Sequence, residues 1–281
     1  MTEGRLAAVI GWPVHQSLSP RMHNYWLKQH GLAGAYVALP IAPENFQACV
    51  ATLPLMGFAG ASVTVPHKES VFALAGVLDD DARITGAVNT LIFESGTVTG
   101  LNTDVKGFAS SLVAGLGEAS AAAGPVTVLG AGGAARAVVL ALARAGAPEI
   151  RLVNRTKTRS QALAKTLGQF AKIKLVDWGD WDAAFVGGRL LVNTTSLGMT
   201  GKPPLELSLE RLPREAAVAD IVYNPLETPL LRAARARGHR TLDGLGMLMH
   251  QAAPAFAAWF GVMPEVTDDL RAELIKALPR V

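Results

Sequence analysis

Val126-Thr127-Val128-Leu129-Gly130-Ala131-Gly132-Gly133-Ala134-Ala135-Arg136 is the stretch whose reading decides the fold. It opens as a short β-branched and apolar strand, passes at once into a G-x-G-x-x-A loop, and continues as helix formers from Ala134 to Arg144. Each small residue has a task in such a unit. Gly130 permits the tight turn, Gly132 lets the backbone approach a pyrophosphate, and Ala135 lets the helix pack close on the strand. The unpaired N–H groups and the dipole at the helix N-terminus then hold the anion. The stretch reads as a dinucleotide fingerprint, with Gly130, Ala131, Gly132, Gly133 and Ala134 lining the phosphates.

The segments downstream keep the same rhythm. Strands are expected at Ile150–Val153, Ile173–Val176, Leu190–Asn193 and Val218–Val222, with helices at Arg159–Leu167 and Pro229–Arg237. Strands separated by helix-length segments imply parallel βαβ units. An NAD site usually carries an acid about 20 residues beyond the glycine loop, on the ribose hydroxyls. Here that position reads Asn154-Arg155-Thr156-Lys157-Thr158-Arg159, three cations and two hydroxyls without a carboxylate. Such a cluster suits a 2′-phosphate through charge-assisted hydrogen bonds, so the expected cofactor is NADP.

Upstream, strands are expected at Leu6–Ile10, Ala35–Ile41 and Ser62–Val65. Helices are expected at Pro20–His30 (capped near Gly31), Pro43–Met56, Glu69–Leu78 and Val105–Leu116. Asn89–Glu94 and Thr97–Leu101 flank Ser95-Gly96 as a hairpin. Two helices, Leu245–Phe260 and Asp268–Leu278, close the chain. The Gly/Ala/Ser-rich stretch Gly115–Gly124 and the Asp243-Gly244 step mark the domain boundaries. The fold class is α/β with two domains, the second a Rossmann-like, doubly wound nucleotide domain.

Composition supports this reading. A chain of 281 residues, 50% hydrophobic and 17% charged, has core material for two domains and excludes disorder. The net charge of +3 comes from cations scattered along the chain, which argues against a nucleic-acid partner. Glu3, Arg5 and Pro13 interrupt the N-terminus too early for a signal peptide or a membrane span. The lone Cys49, in an apolar run, reads as a buried, inert thiol, and the expected compartment is the cytoplasm. The six histidines show no ligand-like pairing with acids, so no metal is expected.

Polar residues at strand ends of the first third are the catalytic candidates. Lys68 follows Val63-Thr64-Val65-Pro66-His67, Asp104 follows Asn102-Thr103, and Asn89-Thr90 opens the hairpin. A Lys beside a carboxylate is a workable proton-transfer pair. Equally, Lys68 and Asp104 read as a surface Lys and a turn-forming Asp, and spacing does not choose.

A resemblance does. Gly11-Trp-Pro13-Val-His-Gln-Ser17-Leu-Ser19-Pro20-Arg-Met-His23-Asn24 resembles the opening signature of the shikimate dehydrogenase family. Val63–Lys68, Gly86–Thr90 and Asn102–Asp104 resemble its next motifs. The Gly130–Ala135 loop, Asn154-Arg155-Thr156, Asn193–Met199, Asp220–Pro225 with Thr228-Pro229-Leu230, and Gly244–Ala252 continue the match in order. It covers nearly the whole chain, departing at Ala61-Ser62, where many relatives read Phe-Asn, and at Thr194, commonly Ala.

The resemblance implies reversible NADPH-dependent reduction of 3-dehydroshikimate to shikimate. Lys68 would be the catalytic acid/base, with Asp104 as its catalytic partner, orienting the substrate and supporting proton transfer. Ser17, Ser19 and Tyr223 would bind the substrate carboxylate, and Thr64, Asn89, Asp104 and Gln251 the ring hydroxyls. Asp80, Ile221 and Gly244 would lie near the cofactor. It further implies residues 1–110 as the substrate domain, 111–244 as the NADP domain, and 245–281 as helices returning to the first. The expected partners are the small-molecule substrate and at most a second copy, as a monomer or homodimer. The alternatives are a quinate/shikimate dehydrogenase using NAD or NADP, a non-catalytic NADP-binding sensor, and a folate-linked dehydrogenase of similar two-domain layout, which would show no activity on shikimate.

Overall fold

Two six-stranded sheets organise residues 4–279, the residues that the computed structural model describes. The chain divides into two units: residues up to Thr103 together with Met249–Ala277, and a second built on Asp104–Leu248.

The first unit runs β1 (Arg5–Gly11), α1 (Ser19–Gln29), β2 (Gly34–Pro40), α2 (Phe46–Thr52), β3 (Phe58–Val63), β4 (Val77–Leu78), α3 (Asp80–Thr85), β5 (Thr90–Glu94) and β6 (Thr97–Leu101). Its sheet order is β2-β1-β3-β5-β6-β4. β1 pairs parallel with β2 and β3, whereas β5 is antiparallel to β3 and β6, so the sheet is mixed. The hairpin turn has Ser95 at φ 49° and Gly96 at φ 76°, the two left-handed positions of a type I′ turn. Ala8, Ile10, Phe46, Val50, Ala61, Val63 and Leu91 form a buried core beneath it.

The second unit runs α4 (Asp104–Leu116), β7 (Val126–Leu129), α5 (Gly133–Arg144), β8 (Ile150–Val153), α6 (Lys157–Leu167), β9 (Ile173–Val176), α7 (Trp181–Phe185), β10 (Leu190–Asn193), β11 (Ala217–Asp220), α8 (Pro229–Ala236) and β12 (Thr241–Leu242). Helix α9 (Gly244–Phe260) follows, and α10 (Asp268–Lys276) ends the chain's regular structure in the first unit. The second sheet, β12-β11-β10-β7-β8-β9, is parallel throughout. β7, β8, β10 and β11 are buried on both faces, which is why they are dominated by apolar residues, with Thr127 and Arg151 the interior exceptions. The order reverses between β7 and β10, the switch point beside which open α/β sheets bind ligands.

Several expectations need correction. Pro43–Met56 is not one helix: α2 spans only Phe46–Thr52 between two 3-10 turns, and Pro54, which has no N–H, cannot continue the hydrogen-bond ladder. Glu69–Leu78 holds a single 3-10 turn at Val71–Leu74 and then β4, which pairs with β6; that edge pairing outweighs helix propensity. β3 begins at Phe58 and stops at Val63, short of Pro66. Asp79-Asp80-Asp81 starts α3, with the Asp79 carboxylate accepting from Ala82 N at 2.7 Å. Cys49 is half-buried, and that burial pushes its thiol pKa up. In addition, α4 begins at Asp104, so a boundary at residue 111 falls inside a helix.

Candidate active site

In the first unit the candidates gather where β1 and β3 end. Thr64 N donates to Ile10 O (2.9 Å) and Trp12 N to Val65 O (3.1 Å), so the two strand exits stay side by side. Beyond β1 the chain turns through Ser17, whose N–H donates to Val14 O (3.0 Å) and whose Oγ accepts from Ser19 N (3.2 Å). Ser19 is buried at the start of α1 and Ser17 is half-buried. Beyond β3, His67 stacks on Phe46 with ring centres 4.2 Å apart and hydrogen-bonds Ile41 O (2.8 Å). That anchors the turn carrying Lys68, whose carbonyl accepts from Val88 N at 3.0 Å. His67 is thus a support for its neighbour's backbone.

A neutral network adjoins these turns. Buried Asn89 donates from Nδ2 to Thr103 Oγ1 (2.9 Å) and to Gln251 Oε1 (3.1 Å), and its Oδ1 accepts from Thr103 N (2.8 Å). The structure thereby brings Asn89 and Gln251 together across 162 positions. Thr103, which organises this network, and Asn102, whose Nδ2 donates to Thr85 Oγ1 and Ala87 O at 2.9 Å each, were quoted only as motif; their signal is a polar pair directly after β6. Ser62 takes the Tyr36 hydroxyl hydrogen bond at 2.7 Å, so this departure is used inside the core. Asp80 is highly exposed and pairs with Arg83 at 2.6 Å on α3.

In the second unit the fingerprint forms the link between β7 and α5. Gly130 has φ +109°, and a Cβ there would meet Thr194 Oγ1 at 2.6 Å, so only glycine fits. Thr194 itself is fixed by donating to Leu129 O at 2.6 Å. Gly132 is the N-cap of α5, without a side-chain cap, and the space a Cβ would occupy there is open. A 12-residue helix thus presents its uncapped N-terminus to an open cradle, which fits a pyrophosphate.

The basic segment leaves β8. Asn154 Nδ2 donates to Thr156 O (2.9 Å), shaping the turn, and Thr156 precedes α6. Arg155 lies 5.9 Å above the Trp178 ring, while Lys157 is paired with Asp177 at 3.0 Å. Arg155 and Arg159 have no acidic partner among the described residues, so a 2′-phosphate would meet two guanidinium groups not committed to an ion pair. Asp177 and Trp178, just past β9, were not foreseen; the signal available was an acid and an aromatic closing an apolar strand.

Ile221 and Tyr223 follow β11 and Gly244 opens α9, and a small crevice is lined by Ser111, Asp220, Ile221, Asp243 and Gly244. Asp104 is buried as the first residue of α4, where a helix N-terminus favours a carboxylate. Among the described residues no group of three or more His, Cys, Asp or Glu is placed to hold a metal. No helix among them is long and apolar enough to cross a membrane.

Residues 9–91 match the family model described as shikimate dehydrogenase substrate binding domain, 115–181 shikimate/quinate 5-dehydrogenase, and 244–272 shikimate 5′-dehydrogenase C-terminal domain. The shikimate dehydrogenase (NADP(+)) of Paramagnetospirillum magneticum is 54% identical over 96% of this chain and 98% of its own length. The chain belongs to the shikimate dehydrogenase family. Its fold is shared with the family enzyme of Thermus thermophilus, solved with NADP(H) and shikimate, at TM-score 0.87 and 38% identity over 98% of this chain and all of that one. A quinate dehydrogenase from Corynebacterium glutamicum, solved with NAD, superposes at TM-score 0.88 with 31% identity, covering 97% of this chain and 99% of that one.

Proposed function

We propose that the protein catalyses the reversible NADP-dependent interconversion of 3-dehydroshikimate and shikimate, in the cytoplasm, as a monomer or homodimer. The observation that carries this is the near-full-length, 54% identity to an NADP(+) shikimate dehydrogenase. Arg155 and Arg159 beyond β8, neither ion-paired among the described residues, support NADP over NAD. On this reading the first unit, including Gln251, supplies most of the substrate-binding residues, while the second binds the cofactor and contributes Asp104 and Tyr223.

When bound, NADPH supplies a hydride to the ring ketone carbon. Lys68 holds the proton that the carbonyl oxygen takes up, and its positive charge stabilises the negative charge that builds there. Asp104 orients the reacting hydroxyl. Ser17, Ser19 and Tyr223 donate to the substrate carboxylate, and Thr64, Asn89 and Gln251 read the ring hydroxyls. The α5 N-terminus with Gly130–Ala134 would hold the pyrophosphate, the Asn154–Arg159 segment the 2′-phosphate, and Ile221 and Gly244 would lie near the cofactor. Asp80 would border the cofactor by resemblance alone.

A second reading, quinate oxidation with NAD, is favoured by the similarity to the quinate dehydrogenase. Measuring kcat/KM for shikimate and quinate, each with NADP and NAD, decides between them. The expected result is a clear preference for shikimate with NADP; a preference for quinate or NAD overturns the assignment, and no shikimate-dependent NADPH formation leaves only nucleotide binding.

A further inference from the structure

Asp220 closes β11 with its carboxylate buried at 2% exposure, and the chemistry proposed above makes no use of it. Three donors meet it. Oδ1 accepts from Asn193 Nδ2 and from Val222 N, each at 3.0 Å, and Oδ2 accepts from Thr228 Oγ1 at 2.7 Å. Val222 and Thr228 stand on either side of Tyr223, so one carboxylate staples both ends of the loop that carries it. Thr228 is also the N-cap of α8, its Oγ1 accepting from Leu231 N, and this fixes the loop's far end to a helix. On the other side Ile221 N donates to Asn193 O at 3.0 Å, while Asn193 Oδ1 accepts from Thr195 N (3.0 Å) and Thr195 Oγ1 (2.8 Å). The pair therefore ties the exits of β10 and β11 together.

Stability does not account for a carboxylate here. Burial lifts its pKa to about 6 despite three donors, so the charged form is held at a cost that an apolar or amide side chain would avoid. What the carboxylate supplies, and neither replacement can, is acceptance from three converging donors at once.

We propose that Asp220 is a positioning residue for the reaction, fixing the Ile221–Glu227 loop so that Tyr223 meets the substrate carboxylate. This rests on the reading of Tyr223 given above. Asp220 acts through Tyr223 and touches no reacting atom.

The test is a double-mutant cycle on shikimate oxidation with Asp220→Asn, Tyr223→Phe and the double variant. Each single substitution is expected to raise the KM for shikimate about tenfold, with a smaller change in the KM for NADP. The double variant is expected to be no worse than the weaker single, because both remove the same contact. A purely structural Asp220 would lower kcat through loss of folded enzyme and leave KM alone. An unchanged KM in Asp220→Asn, or effects that multiply in the double variant, overturns the proposal. If Tyr223→Phe alone leaves the KM for shikimate unchanged, the reading of Tyr223 is what fails, and the positioning role falls with it. Should Asp220→Asn not fold, Thr228→Val, which keeps the carboxylate and removes one donor, takes its place in the same cycle with the same outcomes.

Discussion

Two buried titratable groups, His23 in the first unit and Asp220 in the second, are opposites. In the first unit His23 is fully buried in an aromatic box, stacked on Tyr36 at 4.0 Å and flanked by Trp26, Phe256 and Trp259. Neither of its ring nitrogens has a hydrogen-bond partner, and burial lowers its pKa to about 3. In the second unit Asp220 is just as hidden but receives three donors, and burial raises its pKa to about 6. The same desolvation holds the histidine neutral throughout the physiological range, while the donors let the aspartate ionise near neutrality. A group used for packing is left dry; a group that holds a loop is hydrogen-bonded.

The contrast between the units sharpens most at the proposed chemistry. Lys68→Ala, in the first unit, is expected to lower kcat by about 10²–10⁴-fold while NADP still binds. Steady-state turnover with fluorescence titration of NADPH measures both; a variant retaining more than a tenth of wild-type kcat breaks the assignment of Lys68 as the acid. Arg155→Ala, in the second unit, should instead raise the KM for NADP by about 10–100-fold, the worth of one charge-assisted hydrogen bond, with little change in kcat. The KM for NAD should hardly move. Equal losses with NADP and NAD would remove Arg155 from the 2′-phosphate site.

These two residues also show how far the sequence reaches. The glycine loop was legible because φ +109° beside Thr194 admits no other residue, and β8, β9 and β10 fall on the expected residues because each is a four-residue segment rich in Ile, Leu and Val and bounded by turn signals. The first unit resisted more. Pro54 splits a segment whose apolar spacing is helical, and β4 is a two-residue strand whose only support is its partner β6. Roles within the site came from motif resemblance, since Lys68 alone reads equally as a surface lysine. The Asp220 cluster escaped for a different reason: Asn193 and Asp220 look like strand-ending turn formers until parallel register sets them side by side.

Acidification breaks the comparison open without touching the chemistry. For His23 the folded pKa lies below its unfolded value near 6.5, so the unfolded chain takes up a proton first as pH falls. Between pH 7 and 5 this costs the folded state about 2 kcal/mol. His23→Phe should remove that loss and be no less stable at pH 7, since two unpartnered nitrogens go with it. Urea unfolding of both proteins at the two pH values measures it; parallel pH dependences would mean that the imidazole is not held neutral.

Asp220 gives the smaller effect with the reverse sign. Its folded pKa lies above the ordinary aspartate value, so the folded state binds the proton first as pH falls through about 6. Acidification from pH 7 to 5 therefore relieves part of the cost of the buried charge, by about 1 kcal/mol, where the same step penalises His23. Asp220→Asn has no charge to lose, so its stability relative to wild type should fall by that amount between pH 7 and 5. The amide also presents an N–H pair where one of the three donors points, so the variant loses an acceptor at every pH and its offset persists when the slope is gone. A difference between the two proteins that stays flat from pH 7 to 5 would show that Asp220 ionises as it does in water, and the contrast drawn between the two buried groups would then rest on hydrogen bonding alone.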